Sequence, residues 1–174
     1  MNTDIRQSEV AYVVTCLRID DHPHFLLSHH DKWGDWSLVG GHVEPFEHGS
    51  WANAAVRELQ EEIPPLLHGK DFILIPIFSR PITWGPTPSR SAGNKQTIYW
   101  AQFFWMEFLR SPTTLLAAAD LANLRLVPQA FLEREPDISQ PLRIIRERLS
   151  GGLTSIPLAW PQSLSRKDLP QSLL

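Results

Sequence analysis

Trp36 to Pro64 reads WSLVGGHVEPFEHGSWANAAVRELQEEIP, and the fold turns on how this stretch divides. A short apolar run, Ser37-Leu38-Val39, leads into the glycine pair Gly40-Gly41, and carboxylates follow at Glu44 and Glu47. Arg57-Glu58-Leu59-Gln60-Glu61-Glu62 comes ten residues after Glu47. Ser50 suits a helix N-cap, because its hydroxyl can accept a bond from an amide of the first helical turn. Pro64-Pro65 ends the helix, since proline cannot donate and restricts the residue before it. On a helical wheel Ala52, Ala55, Val56, Leu59 and Ile63 fall on one side and should face a core. Glu58, Glu61 and Glu62 stand at i, i+3 and i+4 on a stripe roughly 100° away, with Trp51 and Ala54 below them.

Three carboxylates on one stripe are a poor stabilising device. Two of them about 6 Å apart repel by roughly 3 kcal/mol at an effective dielectric near 20. The chain must leave them in water, protonate one, or bind a cation. Mg2+ prefers oxygen ligands, keeps several waters and shares its shell with phosphates.

Working outward, Glu9 to Ile19 is β-rich and stops at Asp20-Asp21, a strand followed by a turn, with Phe25 to Ser28 as the hairpin partner. His29 to Trp36 reads as a loop. After the helix, Phe72 to Phe78 predicts a strand, and Pro76 puts it at an edge or a bulge. Ser79 to Lys95 is a long Pro/Gly/Ser stretch holding Trp84, Arg80 and Arg90, and reads as a loop. Gln96 to Leu109 is an aromatic strand, Ser111 to Asn123 is partly helical, and Leu124 to Val127 is a last short strand. A helical turn runs from Pro128 to Glu135. Ser139 then caps a final helix with the stripe Leu142, Ile145, Leu149, closed by Gly151-Gly152. Strands and helices intermixed on one chain imply an α/β fold, a mixed sheet covered by helices on both faces.

The totals fit a globular protein: 43% hydrophobic and 20% charged residues in a chain of 174. A formal charge of −3 argues against non-specific nucleic-acid binding. A single cysteine, Cys16, excludes a disulfide framework. No long apolar run or apolar leader is present, so the expectation is a cytoplasmic protein with no membrane partner.

Gly41, then Glu47, then Arg57-Glu58-Leu59-Gln60-Glu61-Glu62 resembles the Nudix box of Nudix hydrolases, and Trp36 to Glu44 resembles that family's lead-in. The resemblance implies an α/β/α sandwich around a mixed β-sheet. Residues 1–150 form the hydrolase domain, and 151–174 a Pro/Ser-rich C-terminal extension that is a candidate arm for a homodimer. It also implies that Glu58, Glu61 and Glu62 hold Mg2+, or Mn2+ in its place, together with the Gly40 main-chain carbonyl. Arg57, Glu58 and Glu61 are then the catalytic candidates, Arg57 as the residue that orients the loop and the carboxylates. The reaction implied is hydrolysis of the pyrophosphate bond of a nucleoside diphosphate linked to another group, a small-molecule partner.

The spacing departs from the family in one place. Nine residues separate Glu47 from Arg57 where the family has seven, and counting back from Arg57 puts the extra two at His48-Gly49. The helical register of the glutamates survives; the position affected is Glu47, which in the family pairs with the arginine. Pro64 also stands where a glycine usually closes the helix. Two other classes fit the same residues: a Nudix-fold nucleotide-binding or regulatory domain without turnover, and an α/β interaction domain whose acidic helix is a solvated face. Trp33, Trp36, Trp51 and Trp84 are candidates for stacking a flat group or for packing under loops. His22, His24, His29 and His30 read as a solvated hairpin end. Glu107 is a further candidate ligand, and Cys16, mid-strand, is inert.

Overall fold

The computed structural model describes residues 5–30, 34–47, 49–64, 66–117, 121, 123–149 and 151–174. Trp33, His48 and Pro65 lie outside the described residues. Two five-stranded sheets carry the fold. The first contains β1 (Arg6–Val14), β5 (Val39–His42), β6 (Phe72–Pro76), β7 (Ile82–Ser89) and β8 (Lys95–Phe108). The second contains β2 (Cys16–Ile19), β3 (His22–His30), β4 (Asp35–Ser37), β9 (Leu124–Pro128) and β10 (Trp160–Leu164). The helices are α1 (Trp51–Glu62), α2 (Pro112–Ala117), α3 (Gln129–Leu132) and α4 (Gln140–Arg148). Among the described residues no helix is long and apolar enough to cross a membrane.

The first sheet is mixed and runs β5-β1-β8-β6, with β7 also on β8. β1 lies parallel to β8, and every other pairing in this sheet is antiparallel. β8 is long because two strands share its second edge: β7 pairs with Lys95 to Ala101 and β6 with Phe104 to Phe108. Side chains alternate across this sheet, and the two faces feed two cores. Ala11, Val13, Phe104, Met106 and Phe108 join one core with Ala54, Ala55, Leu59 and Ile63 of the α1 segment. Val10, Val14, Ala101 and Phe103 join the other with Leu142, Ile144 and Ile145 of α4. Helices thus cover both faces, and the α/β/α sandwich expected from the sequence is the observed fold.

Several local expectations change. The strand read from Glu9 to Ile19 is two strands in different sheets, divided at Thr15. The Thr15 carbonyl accepts a 3.0 Å bond from the Leu26 amide, so the chain changes partner within one residue. Asp20-Asp21 is the turn expected, with φ of 45° and 66°. The loop read from His29 to Trp36 contains the end of β3 and most of β4, paired antiparallel. The loop read from Ser79 to Lys95 contains β7. That strand tolerates its prolines because it is an edge strand with a register shift between Trp84 and Thr87. Ser139 occupies the N-cap of α4, but its side chain makes no capping bond.

The segment after Gly151 is docked on the second sheet. β10 lies parallel to β2, and the Ala159 amide donates to the Cys16 carbonyl at 2.6 Å. Leu164, Leu169 and Leu173, which an intersubunit arm would present outward, are buried within this chain.

Candidate active site

β5 brings the glycine pair alongside β1, Gly40 opposite Tyr12 and Gly41 opposite Ala11. Both positions need the missing side chain, for different reasons. At Gly40, φ is +149° and a Cβ would lie 2.8 Å from the Tyr12 Cα and overlap the Ala11 carbonyl oxygen. At Gly41 a Cβ would lie 2.6 Å from Cδ of Glu58. Gly41 therefore makes the space that the Glu58 carboxylate fills, which ties α1 to the strand before it.

Helix α1 starts as expected, the Ser50 hydroxyl accepting a 3.3 Å bond from the Asn53 amide. Its rotation differs from the wheel reading. Ala54, placed on the exposed stripe, is fully buried, whereas Ala52, placed in the core, is exposed. Trp51 packs against the core too, with its indole N–H buried and unpartnered. The helix presents Trp51, Ala54, Ala55, Glu58, Leu59 and Glu62 inward, one face of i, i+3 and i+4 neighbours, with the two alanines in the core beside Ala11, Val13 and Val39. Glu58 and Glu62 end up half-buried and Glu61 exposed. The three carboxylates do not stand equivalently.

Pro45–Glu47 forms a 3-10 turn. It lowers Glu47 to 6% exposure, where one carboxylate oxygen accepts the Glu44 amide at 2.7 Å and the other accepts Arg57 Nε at 3.0 Å. The extra residues in this loop leave the Glu47–Arg57 pair in place. Arg57 Nη2 donates to the His42 carbonyl at 2.8 Å, and Nη1 donates to Glu58 at 2.9 Å and to Glu61 at 3.2 Å. One guanidinium thus connects β5, the loop and two helical carboxylates.

The electrostatics follow from this web. Burial works to raise the pKa of Glu47, but the Arg57 hydrogen bond, the Glu44 amide and the Arg57 charge outweigh it and hold the carboxyl below the usual glutamate range. Burial pushes the Glu58 carboxyl up; Arg57 opposes this, and the charges of Glu61 and Glu62 add to it. The hydrogen bond to Glu47 leads the contacts that hold the Arg57 guanidinium charged.

Among the described residues no three His, Cys, Asp or Glu side chains stand ready as a metal cluster. The physical reason is visible: Arg57 Nη1 supplies the positive charge between Glu58 and Glu61. The donor set itself suits a hard divalent cation, being carboxylate oxygens, and the missing side chain at Gly41 is what admits the Glu58 carboxylate.

A cleft of about 620 Å3 is lined by both glycines of the pair, with Tyr12, Trp84 and Tyr99. Trp84 stacks on Tyr99 at 5.1 Å with the rings 16° from parallel. Burial, with Tyr99 and the Glu58 charge behind it, pushes the Tyr12 hydroxyl far above the usual phenol range. Sequence reasoning found Trp84 and Arg90 here but missed Tyr12, Asp35 and Tyr99. The missed signal for Tyr12 was its place in a strand next to the glycine pair. Arg90 Nη1 donates to Asp35 Oδ2 at 2.8 Å. Trp36 packs instead on His29, at 4.8 Å, and edge-on to Phe131. Arg80 is exposed and outside the cleft lining, and Glu107 is exposed opposite Ile73 on the β6–β8 pairing. Of the hairpin-end histidines, His24 is buried. Cys16 is buried, and burial pushes its thiol up to about 12, which suits an inert residue.

The NUDIX domain family model matches residues 10–105. A Nudix hydrolase from M. smegmatis, RenU, is similar in structure, with a TM-score of 0.56 at 18% identity, covering 87% of this chain and 88% of that one. NrtR from Shewanella oneidensis superposes with a TM-score of 0.52 at 21% identity, over 82% of this chain and 62% of that one. Among curated proteins no match was found.

Proposed function

Because this chain belongs to the NUDIX domain family, we propose that it is a divalent-cation-dependent hydrolase of the pyrophosphate bond in a nucleoside diphosphate linked to another group. One observation carries the reading: the brace from Glu47 through Arg57 to Glu58 and Glu61 is intact across the longer loop, directly over the glycine pair. Glu58, Glu61, Glu62 and the Gly40 carbonyl would hold Mg2+ or Mn2+. Bound there, the cation would neutralise diphosphate charge and lower the pKa of a coordinated water. Arg57 Nη1 holds Glu58 and Glu61 together, at the carboxylates that would hold the cation. The Arg57 Nε and Nη2 bonds to Glu47 and the His42 carbonyl keep the guanidinium anchored. A carboxylate of the trio would take the proton from water as the water oxygen bonds to phosphorus and the bridging P–O bond breaks, releasing the leaving phosphate oxygen. The aromatic cleft beside Gly40 and Gly41 receives the nucleoside.

The test is a panel of nucleotide sugars, dinucleoside polyphosphates, ADP-ribose-like compounds and nucleoside triphosphates with Mg2+ and with Mn2+. At least one class should be hydrolysed, and the double change Glu61→Gln, Glu62→Gln should abolish turnover. Equal turnover by that variant refutes the site. Tight Mn2+ and nucleotide binding with no turnover favours the regulatory reading, and Mn2+ affinity no better than millimolar favours an idle acidic face.

A further inference from the structure

The aromatic cleft holds polar groups that hydrolysis does not use. Asp35 is 7% exposed, and while its Oδ2 accepts the bond from Arg90, its Oδ1 is buried with no partner among the described residues. Ser139 Oγ is likewise buried and unpartnered, although it sits where a capping bond would be made. A buried polar atom left unpaired costs about 1–3 kcal/mol, so such atoms persist where a ligand or water satisfies them. Both residues line this cleft. They share one wall: the Ser139 amide donates to the carbonyl of Trp36, the residue after Asp35, at 2.8 Å, and the Trp36 amide donates to the Asp137 carbonyl at 3.1 Å. The stacked Trp84 and Tyr99 supply flat apolar surface in the same space.

The chemistry of these groups restricts the ligand. An ionised carboxylate only accepts, whereas a serine hydroxyl can donate. Their complement is a flat ring that presents an amino N–H beside an acceptor ring nitrogen, a pair that adenine and cytosine both carry; the cleft volume and the broad Trp84–Tyr99 surface favour the larger ring of adenine. The two adjacent N–H donors of a guanine edge would call for both carboxylate oxygens, and Arg90 already holds one. A cleft of about 620 Å3 has room for a nucleoside.

We propose that Asp35 and Ser139 read the base: Asp35 Oδ1 accepts the amino N–H of an adenine-type ring in the aromatic cleft, and Ser139 Oγ donates to the neighbouring ring nitrogen. Arg90 is the positioning residue that holds the carboxylate in place. This rests on the reading of the cleft as the nucleoside site of a diphosphate hydrolase, and it narrows the substrate class to adenine-type nucleoside diphosphate derivatives.

The experiment is equilibrium titration, in metal-free buffer, with ADP and with purine riboside 5′-diphosphate, which lacks the amino group. The folded protein should bind ADP about tenfold tighter or more. Asp35→Asn should shrink that gap to about threefold or less by weakening ADP alone. Ser139→Ala removes a hydroxyl that caps nothing, and should weaken both ligands by about threefold or more; it keeps the test standing if Asp35→Asn does not fold. Equal affinities in the natural protein, no saturable ADP binding, a full gap in folded Asp35→Asn, or unchanged affinities in Ser139→Ala would each overturn the assignment. Turnover is not part of the readout. A gap without hydrolysis sinks the enzymatic reading and leaves this one, and hydrolysis without a gap does the reverse.

Discussion

Glu47→Ala cuts the brace at its deepest point, and its cost can be worked from the geometry. The substitution deletes the 3.0 Å bond from Arg57 Nε and the 2.7 Å bond from the Glu44 amide. Each is a hydrogen bond to a charged group, worth about 1.5–3 kcal/mol. Arg57 keeps its bonds to Glu58 and to the His42 carbonyl, and its side chain is 22% exposed. Glu47 is covered mainly by Arg57 and its own turn, so water fills part of the gap. The expected loss is therefore at the lower end of the sum, about 3 kcal/mol. In a chain of 174 residues that lowers the thermal midpoint by about 6–12 °C. Urea unfolding at pH 7 measures it directly, with an unchanged m-value; a loss under about 1 kcal/mol refutes the brace. The pH dependence adds a second check. The folded carboxyl has a lowered pKa, so the folded state binds the proton less readily than the unfolded chain. Its stabilisation is complete above the ordinary glutamate value, about 4.3, and is lost as pH falls through the lowered folded value. The difference between the natural protein and Glu47→Gln should close as the pH falls below the ordinary glutamate range and through the lowered folded value, and a gap that does not narrow on acidification counts against the ion pair.

The glycine pair and the tail can be tested the same way. Gly40→Ala drives a Cβ into the β1 backbone at positive φ and should destabilise by about 3 kcal/mol or more. Gly41→Ala meets only the movable end of Glu58, so it should cost under about 1 kcal/mol of stability while turnover drops about tenfold or more. The reverse order in paired unfolding and activity assays would contradict the roles assigned. Leu173→Ala empties a fully buried site and should cost about 2–5 kcal/mol; a change under about 0.5 kcal/mol by urea unfolding would mean the tail does not share the core.

The active-site helix was legible because its signals are local. Ser50, the glutamate spacing and Pro64 act within a turn or two, and each sits where the sequence put it. The exchange of Ala52 for Ala54 on the buried face shows the limit of that logic. A wheel ranks hydrophobic positions, but which alanine is buried is decided by how the helix is rotated onto the sheet, and here Ala54 and Ala55 join the core beside Ala11, Val13 and Val39. Sheet membership was not legible for a related reason. Nothing in Glu9 to Ile19 marks Thr15 as the point where the chain leaves one sheet for the other, because the first half is claimed as far as Val14 by β8, distant in sequence, while the second pairs with its own hairpin partner β3. Nor did the Pro/Gly composition of Ser79 to Lys95 reveal that β8 had a free edge for β7 to occupy.

By itself, the sequence determined that three glutamates share a helix behind a glycine pair, since carboxylate register is fixed by helical geometry alone. Tertiary structure decided that Glu58 is half-buried and Glu61 exposed, that Glu47 still reaches Arg57, and that Asp35 and Ser139 line one cleft with an aromatic stack. Those placements join residues far apart in the chain, and only packing brings them to one site.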